Sequence, residues 1–334
     1  MDCLTDLVGI KNTCETPVST SGLWLQNLPG FSLKLADAAV NEETISGLQL
    51  IKDKYIHAQN HIIAQFRAQF QDKIRSSSVL SNQVVGYYPS RIKGVALNNT
   101  VLKGIKIEIK NQAYMEVFIS QVGLMFKDAV SDTNIFIYDL FTGKLLDTFT
   151  LDTLAGDPTY ISINKSYPTN KQRLSLFICF DAGLSDVYET NVYSTGQGCA
   201  SCSGSGNRYA YVSGVKIDKS LQKISGNTSV TTGTSGMTVN YSVNCNVDSF
   251  LCSIAGKFAW PLLYKWGAEI MAELQYSRRL NSIITIDRKA NEELRDEYEA
   301  EYMSSMGALI NNIQLPNDIC FSCNSRIKKA VQIP

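Results

Sequence analysis

The spacing of apolar residues changes twice along this chain, and that change restricts the fold more than any other feature. Between about Glu42 and Arg75, the residues Leu48, Ile51, Tyr55, Ala58, Ile62, Phe66, Phe70 and Ile74 recur at steps of three and four. Such spacing lines one face of an α-helix. The segment is therefore predicted to be a long amphipathic helix packed against something equally long. From about Val84 to Val192 the period falls to two: "GIKIEIK" places Ile105, Ile107 and Ile109 on one side, and "YMEVFIS" does the same for Met115, Val117 and Ile119. The runs "NIFIYDL", "KLLDTFTL", "TYISIN" and "RLSLFICFD" read as further strands, and Gly143 in "FTGK" can take the positive φ of a tight hairpin. Short strands joined by turns, with no helix between them, predict an antiparallel β-sandwich of jelly-roll type.

The helical period returns near the C-terminus. Ile254, Phe258, Leu262 or Leu263, Trp266, Ile270 and Leu274 mark one helix, with Pro261 in an early turn or at a kink. Asp287 is a candidate N-cap for a second, whose face is Leu294, Tyr298, Tyr302, Met306, Leu309 and Ile313. The expected fold class is α+β: a central antiparallel jelly-roll-like sandwich flanked by a long N-terminal amphipathic helix and a C-terminal helical pair, with extended arms. Four consecutive segments are expected. Residues 1–82 form an arm and the long helix, 83–193 the sandwich, 194–252 a Gly/Ser/Thr-rich β-arm or loops, and 253–334 the C-terminal helices and tail.

Composition narrows the function classes. Lys plus Arg and Asp plus Glu are both 31, so the net charge is zero, which disfavours a protein whose main task is neutralising nucleic-acid phosphates. No run approaches the roughly 20 apolar residues of a membrane span, and the opening "MDCLTDLVGIK" lacks the apolar stretch of a signal peptide. The reading is therefore synthesis in a reducing cytoplasm, where cysteines serve as ligands, catalysts or buried thiols more often than as disulfides.

Catalytic motifs are sparse. His57 and His61 have the spacing of two metal ligands on one helical face. However, "HAQNH" lacks a catalytic Glu, and Lys54 and Gln65 share that face, so a solvated or interface face is the better reading. There is no G-x-S-x-G elbow, and "AGKFAW" and "TGKLL" lack the upstream glycine of a phosphate-binding loop. Asp128, Asp132, Asp139, Asp157 and Asp181 lie near strand ends, where acids are common in turns. Tyr138, Tyr160 and Tyr167 would suit a sugar-stacking sheet face or a core equally well. No enzymatic activity is expected.

The nine cysteines sort by position. Cys3, Cys14, Cys320 and Cys323 lie in the two terminal arms; Cys199, Cys202, Cys245 and Cys252 surround the Gly/Ser-rich segment. Each quartet could deliver four thiolates to a structural zinc ion that ties an arm to the body. Unligated thiols or local disulfides account for the same spacing. Cys179, in a strand, reads as a small apolar residue.

The C-terminal run from "CNVDSFLCSIAGKFAW" to "LPNDICFSCNSR", together with "MDCLTDLVGIKNTC" at the start and the order helix, sandwich, helices, resembles virion structural proteins of tailed bacteriophages that infect Bacteroidetes, including crAss-like phages. The resemblance implies a tail, neck or ring subunit that is assembled in the host bacterial cytoplasm. Its partners would be copies of itself and other virion proteins. The alternative is a glycan-binding β-sandwich that recognises host surface polysaccharide.

Overall fold

The computed structural model describes residues 2–11, 16–34, 36, 40, 46–71, 78–88, 94–95, 101–110, 112–169, 173–181, 186–192, 210–219, 224–225, 230–276, 288–316 and 320. These fall into two compact units. A helical unit draws on Met1–Ile74 and Val247–Asn317, and a sheet unit comprises Arg75–Asn246 with Asp318–Cys320. The expected four consecutive segments condense into these two units, because strands from the Gly/Ser/Thr-rich segment belong to the sheets and the two helical segments share one core.

In the helical unit, α1 spans Gly47–Gln69, α2 Val247–Ser253, α3 Ala259–Tyr276 and α4 Arg288–Asn312. Ser46 caps α1 by accepting from the Gln49 amide at 3.2 Å. The face expected from the spacing is the buried one: Ile51, Tyr55, Ala58, Ile62 and Phe66 all turn inward. Pro261 lies in the first turn of α3, where a missing N–H costs nothing. Tyr298, Tyr302 and Met306 of α4 are likewise buried. Trp266, 1% exposed, sits edge-on to Tyr55 at 4.6 Å and donates its indole N–H to the Ile51 carbonyl at 2.9 Å, so α3 is keyed to α1 by shape and by a hydrogen bond. Phe66 meets Phe70, Phe250 and Phe258 at the other end of the same core.

The N-terminal arm forms a short parallel pair, β1 (Val8–Gly9) with β2 (Leu23–Trp24). Buried Leu4, Leu7, Val8, Leu25 and Leu28 anchor it. The Tyr55 hydroxyl donates to the Leu4 carbonyl at 2.6 Å and accepts from the Val8 amide at 3.3 Å, which holds the arm to α1.

The sheet unit runs β3 (Leu80–Val85), β4 (Gly94–Val95), β5 (Val101–Lys110), β6 (Met115–Leu124), β7 (Val130–Asp139), β8 (Lys144–Thr153), β9 (Thr159–Pro168), β10 (Arg173–Asp181), β11 (Val187–Tyr188), β12 (Ala210–Asp218), β13 (Val230–Thr232) and β14 (Met237–Cys245). One sheet has the order β13-β12-β5-β10-β7-β8 and the other β3-β14-β6-β9, with antiparallel pairing throughout both. If β3, β5, β6, β7, β8, β9, β10 and β14 are counted in chain order, the two sheets read first-eighth-third-sixth and second-seventh-fourth-fifth. That is the strand order of a jelly roll. The pair β12 and β13 is inserted before the last strand and widens the larger sheet.

The core comes from alternate positions. Ile105, Ile107, Ile109, Met115, Val117 and Ile119 are all 0% exposed, as the two-residue period requires. Strand β10 departs from alternation and is buried along nearly its whole length. Its second face supports another apolar cluster, in which Phe177 and Cys179 pack with Leu102, Leu140, Val215 and Ile217. Gly143 has φ 73° at the Phe141–Lys144 turn, and Asp139 accepts there from the Phe141 amide and the Thr142 hydroxyl. The Gly/Ser/Thr-rich segment, expected as a β-arm or loops, does not stand apart from the sandwich. Instead β12 pairs along the whole of β5, and β14 lies between β3 and β6.

Candidate functional site

Among the described residues of the helical unit, a cavity of about 330 Å³ lies between the N-terminal arm and α1. Val8, Ile10, Pro17, Val18, Leu48 and Ile56 supply apolar wall, Tyr55 and Trp266 also line it, and Asp6 and Lys52 add opposite charges. Its size is at the lower end for a small-molecule site. Val18 and Ile56, 53% and 51% exposed, leave apolar surface open to solvent beside the recess. The tight arm geometry depends on Gly9: a Cβ there would approach the Val18 carbonyl oxygen to 2.2 Å and the Trp24 ring to 2.7 Å. Chemically, the recess can accept an apolar group and orient it by charge.

A second recess of about 320 Å³ lies between α3 and α4 and is lined by Lys265, Glu269, Arg295, Asp296 and Glu299. Its charges are largely neutralised by each other. Buried Lys265 meets Glu299 at 3.1 Å and Glu269 at 3.4 Å, and Arg295 meets Asp296 at 2.7 Å. His61 lies edge-on to the Tyr302 ring at 5.9 Å. Partial burial lowers its pKa, Lys265 adds to that effect, and Glu299 and Glu269 oppose it. His57 and His61 are both exposed on α1, while Lys54 on the same face pairs with Glu273 at 2.8 Å and Gln65 accepts from the Tyr302 hydroxyl, so the histidine face is a polar face partly engaged by α3 and α4.

The described cysteines are arranged differently from the two expected quartets. Cys3 is bonded to Cys252 and Cys245 to Cys320, so each bridge joins a member of one quartet to a member of the other. Sulfur in a disulfide is not a thiolate ligand. For these four residues, covalent bridges therefore take the place of zinc coordination. Cys14, Cys199, Cys202 and Cys323 lie outside the described residues. Among the described residues, no three His, Cys, Asp or Glu side chains converge as a metal site. Cys179 is a free, fully buried thiol, and burial pushes its pKa well up.

Three of the strand-end acids act locally. Asp139 closes a turn and Asp181 pairs with Lys219. Asp132 takes positive φ at a register shift in the β7–β8 pairing and donates its amide to Asp152 at 2.8 Å. The three tyrosines form no common row. Tyr138 packs against the second cluster on the larger sheet, Tyr167 is buried with its hydroxyl on Asp147 at 2.8 Å, and Tyr160 is 46% exposed. The Tyr160 ring packs over Gly123, where a Cβ would approach it to 2.4 Å. Nearby on the same sheet, Asn240 donates to Gln121 at 3.1 Å.

Two strong local features were not anticipated from the sequence. One is the Lys103–Glu189 ion pair, with Lys103 only 6% exposed and also within 3.4 Å of the Thr234 hydroxyl. The other is the hydroxyl pair Thr190–Ser235 at 2.7 Å, both residues fully buried. Lys103 was legible only as a polar interruption on the inward-facing side of β5.

No family model matches the chain, and no curated protein matches it. Among solved structures, the flagellar cap protein FliD (domains D1-D2-D3) from Escherichia coli is similar at 11% identity, over 73% of this chain and 75% of that chain, with a TM-score of 0.11. A likeness at that level carries no argument about this protein. No helix among the described residues is long and apolar enough to cross a membrane.

Proposed function

We propose that this chain is a non-enzymatic structural subunit of a phage virion, assembling side by side with copies of itself in a tail, neck or ring. The observation that carries the reading is the recess between arm and α1, with Val18 and Ile56 exposed beside it: an apolar surface on an element locked in place by burial and by the Cys3–Cys252 bridge. Jelly rolls also build viral capsid domains, which supports the reading by analogy of fold only. The two disulfides suit a particle that leaves the reducing cytoplasm in which it is made.

Light scattering on the purified chain should give a mass well above the 37.0 kDa protomer. Val18→Asp with Ile56→Asp should shift it towards the protomer. A protomer mass at every concentration would overturn assembly. Mass spectrometry of purified phage particles tests the virion assignment directly.

A second reading, glycan binding, is favoured by Tyr160 lying over Gly123 beside the Asn240–Gln121 amide pair, because an exposed ring next to amides can stack on and hydrogen-bond a sugar. Binding to bacterial surface polysaccharide that is lost in Tyr160→Ala would establish it. Structural zinc on the remaining cysteines is tested by metal analysis combined with thiol titration. Nine cysteines, four of them bridged, leave at most five thiols.

A further inference from the structure

The α3–α4 pair presents an aromatic and acidic patch away from the recess between arm and α1. Trp260 is 52% exposed and stacks on Tyr264, one turn later in α3, with ring centroids 5.9 Å apart and planes 28° apart. An indole exposed on a helix that otherwise buries Leu262, Leu263, Trp266 and Ile270 is not held there by core packing. Glu297 and Glu301 of α4, four residues apart and exposed, lie close enough to raise the Tyr264 hydroxyl pKa after burial, the larger cause. Other charges on this helix pair are matched: Glu299 by Lys265, Asp296 by Arg295, Glu293 by Lys289. Among the described residues, Glu297 and Glu301 have no such cation. An open aromatic face beside two unmatched carboxylates is a receptor for cationic side chains, through ring quadrupole and charge together.

The chain carries a segment of complementary chemistry. The described residues end at Cys320, which is bridged to Cys245. Residues 321–334, "FSCNSRIKKAVQIP", follow with three cations (Arg326, Lys328 and Lys329) and no acid. Fourteen residues can span up to roughly 45 Å when extended, enough to reach a neighbouring molecule. We propose that the Trp260–Tyr264 stack with Glu297 and Glu301 docks the basic C-terminal segment 326–329 of a second copy of this chain. Each copy then offers one receptor and one ligand, a head-to-tail contact that closes into a ring or extends into a filament. The inference rests on the assembly reading and gives one of its contacts a defined chemistry.

Charge exchange on the full chain tests it. Glu297→Lys with Glu301→Lys should lower the oligomer mass in light scattering, as should Arg326→Glu with Lys328→Glu and Lys329→Glu. Combining the two sets should restore the mass. Circular dichroism of each variant checks that the fold is intact. Separately, a synthetic peptide of residues 321–334 with Cys323→Ser is titrated into the full chain carrying the reversed tail. It should bind, and binding should weaken about tenfold in Trp260→Ala and with added salt. An oligomer whose mass ignores both reversals overturns the docking and leaves the assembly reading intact. A protomeric chain that still binds the peptide does the opposite, and a reversed pair that fails to restore mass overturns the proposed pairing.

Discussion

The two units are held together by different means. The sheet unit is almost one continuous stretch of chain, and neighbouring strands recognise each other through backbone hydrogen bonds along registers up to nine residues long. The helical unit unites two stretches separated by Arg75–Asn246, and its helices close their backbone ladders internally, so they join each other through side chains. Its long-range pairing therefore depends on a few side chains and one bond: Trp266 on Ile51 and Tyr55, Tyr55 on the arm, and Cys3 on Cys252 across 249 residues. Damage to single side chains should accordingly be more local and more severe in the helical unit than in the sheet unit.

The largest expected effect is from Trp266→Ala, which removes a fully buried indole and its hydrogen bond, at a cost of about 3–5 kcal/mol. Hydrogen exchange should rise in α1 and α3 peptides and stay unchanged in β5 and β10. The reciprocal variant, Ile107→Ala, costs about 2–5 kcal/mol and should expose β5, β10 and β12 together, because their ladder is shared. If either variant loosened both units equally, the contrast would fail.

Removing a bridge comes next. Cys3→Ser with Cys252→Ser should lower stability by about 2–4 kcal/mol, through the freedom regained by the unfolded chain, and should loosen the arm first. Limited proteolysis with and without reductant measures this. Ser46→Ala, at the cap of α1, should cost about 1 kcal/mol and fray only the first turn.

The smallest effect concerns pH. Although burial alone would raise the Asp147 pKa, hydrogen bonds from Lys165 and Tyr167 and the charge of Lys165 hold it below its ordinary value. A carboxyl depressed in the folded state stabilises above its unfolded pKa, and that contribution fades as pH falls through the lower folded value. The pair is partly solvated, so solvent screening limits its contribution to stability. Asp147→Asn should flatten the acid limb of the thermal stability curve of the sheet unit and leave neutral pH nearly unchanged. An unaltered acid limb would remove Asp147 from the account.

Much of this architecture could be read from the pattern of residues. The buried face of α1, the alternation in β5 and β6, the turn at Gly143 and the early position of Pro261 are local properties, set by period, φ or a missing N–H. The segment 194–252 reads as a β-arm or loops; its strands form, but they are integral to the two sheets and not an appendage, although Gly, Ser and Thr are loop-forming on average. Val212, Val215, Ile217, Val239 and Val243 are buried strand positions, and tertiary burial outweighed that tendency. The recess between arm and α1 was not legible, since its wall combines an irregular arm with a helix face whose apolar members looked like ordinary core.

Sequence alone determined the inward faces of α1, β5 and β6, the main helices and most sandwich strands, and that the chain is α+β with a jelly-roll-like core, because hydrophobic period and turn chemistry act over a few residues. Only the tertiary structure decided the cysteine partners, the joining of two sequence-distant helical segments into one unit, and the exposure of Trp260 and Tyr160. Those depend on which distant surfaces meet, and a thiol, an indole or a phenol has the same local signature whichever surface it finds.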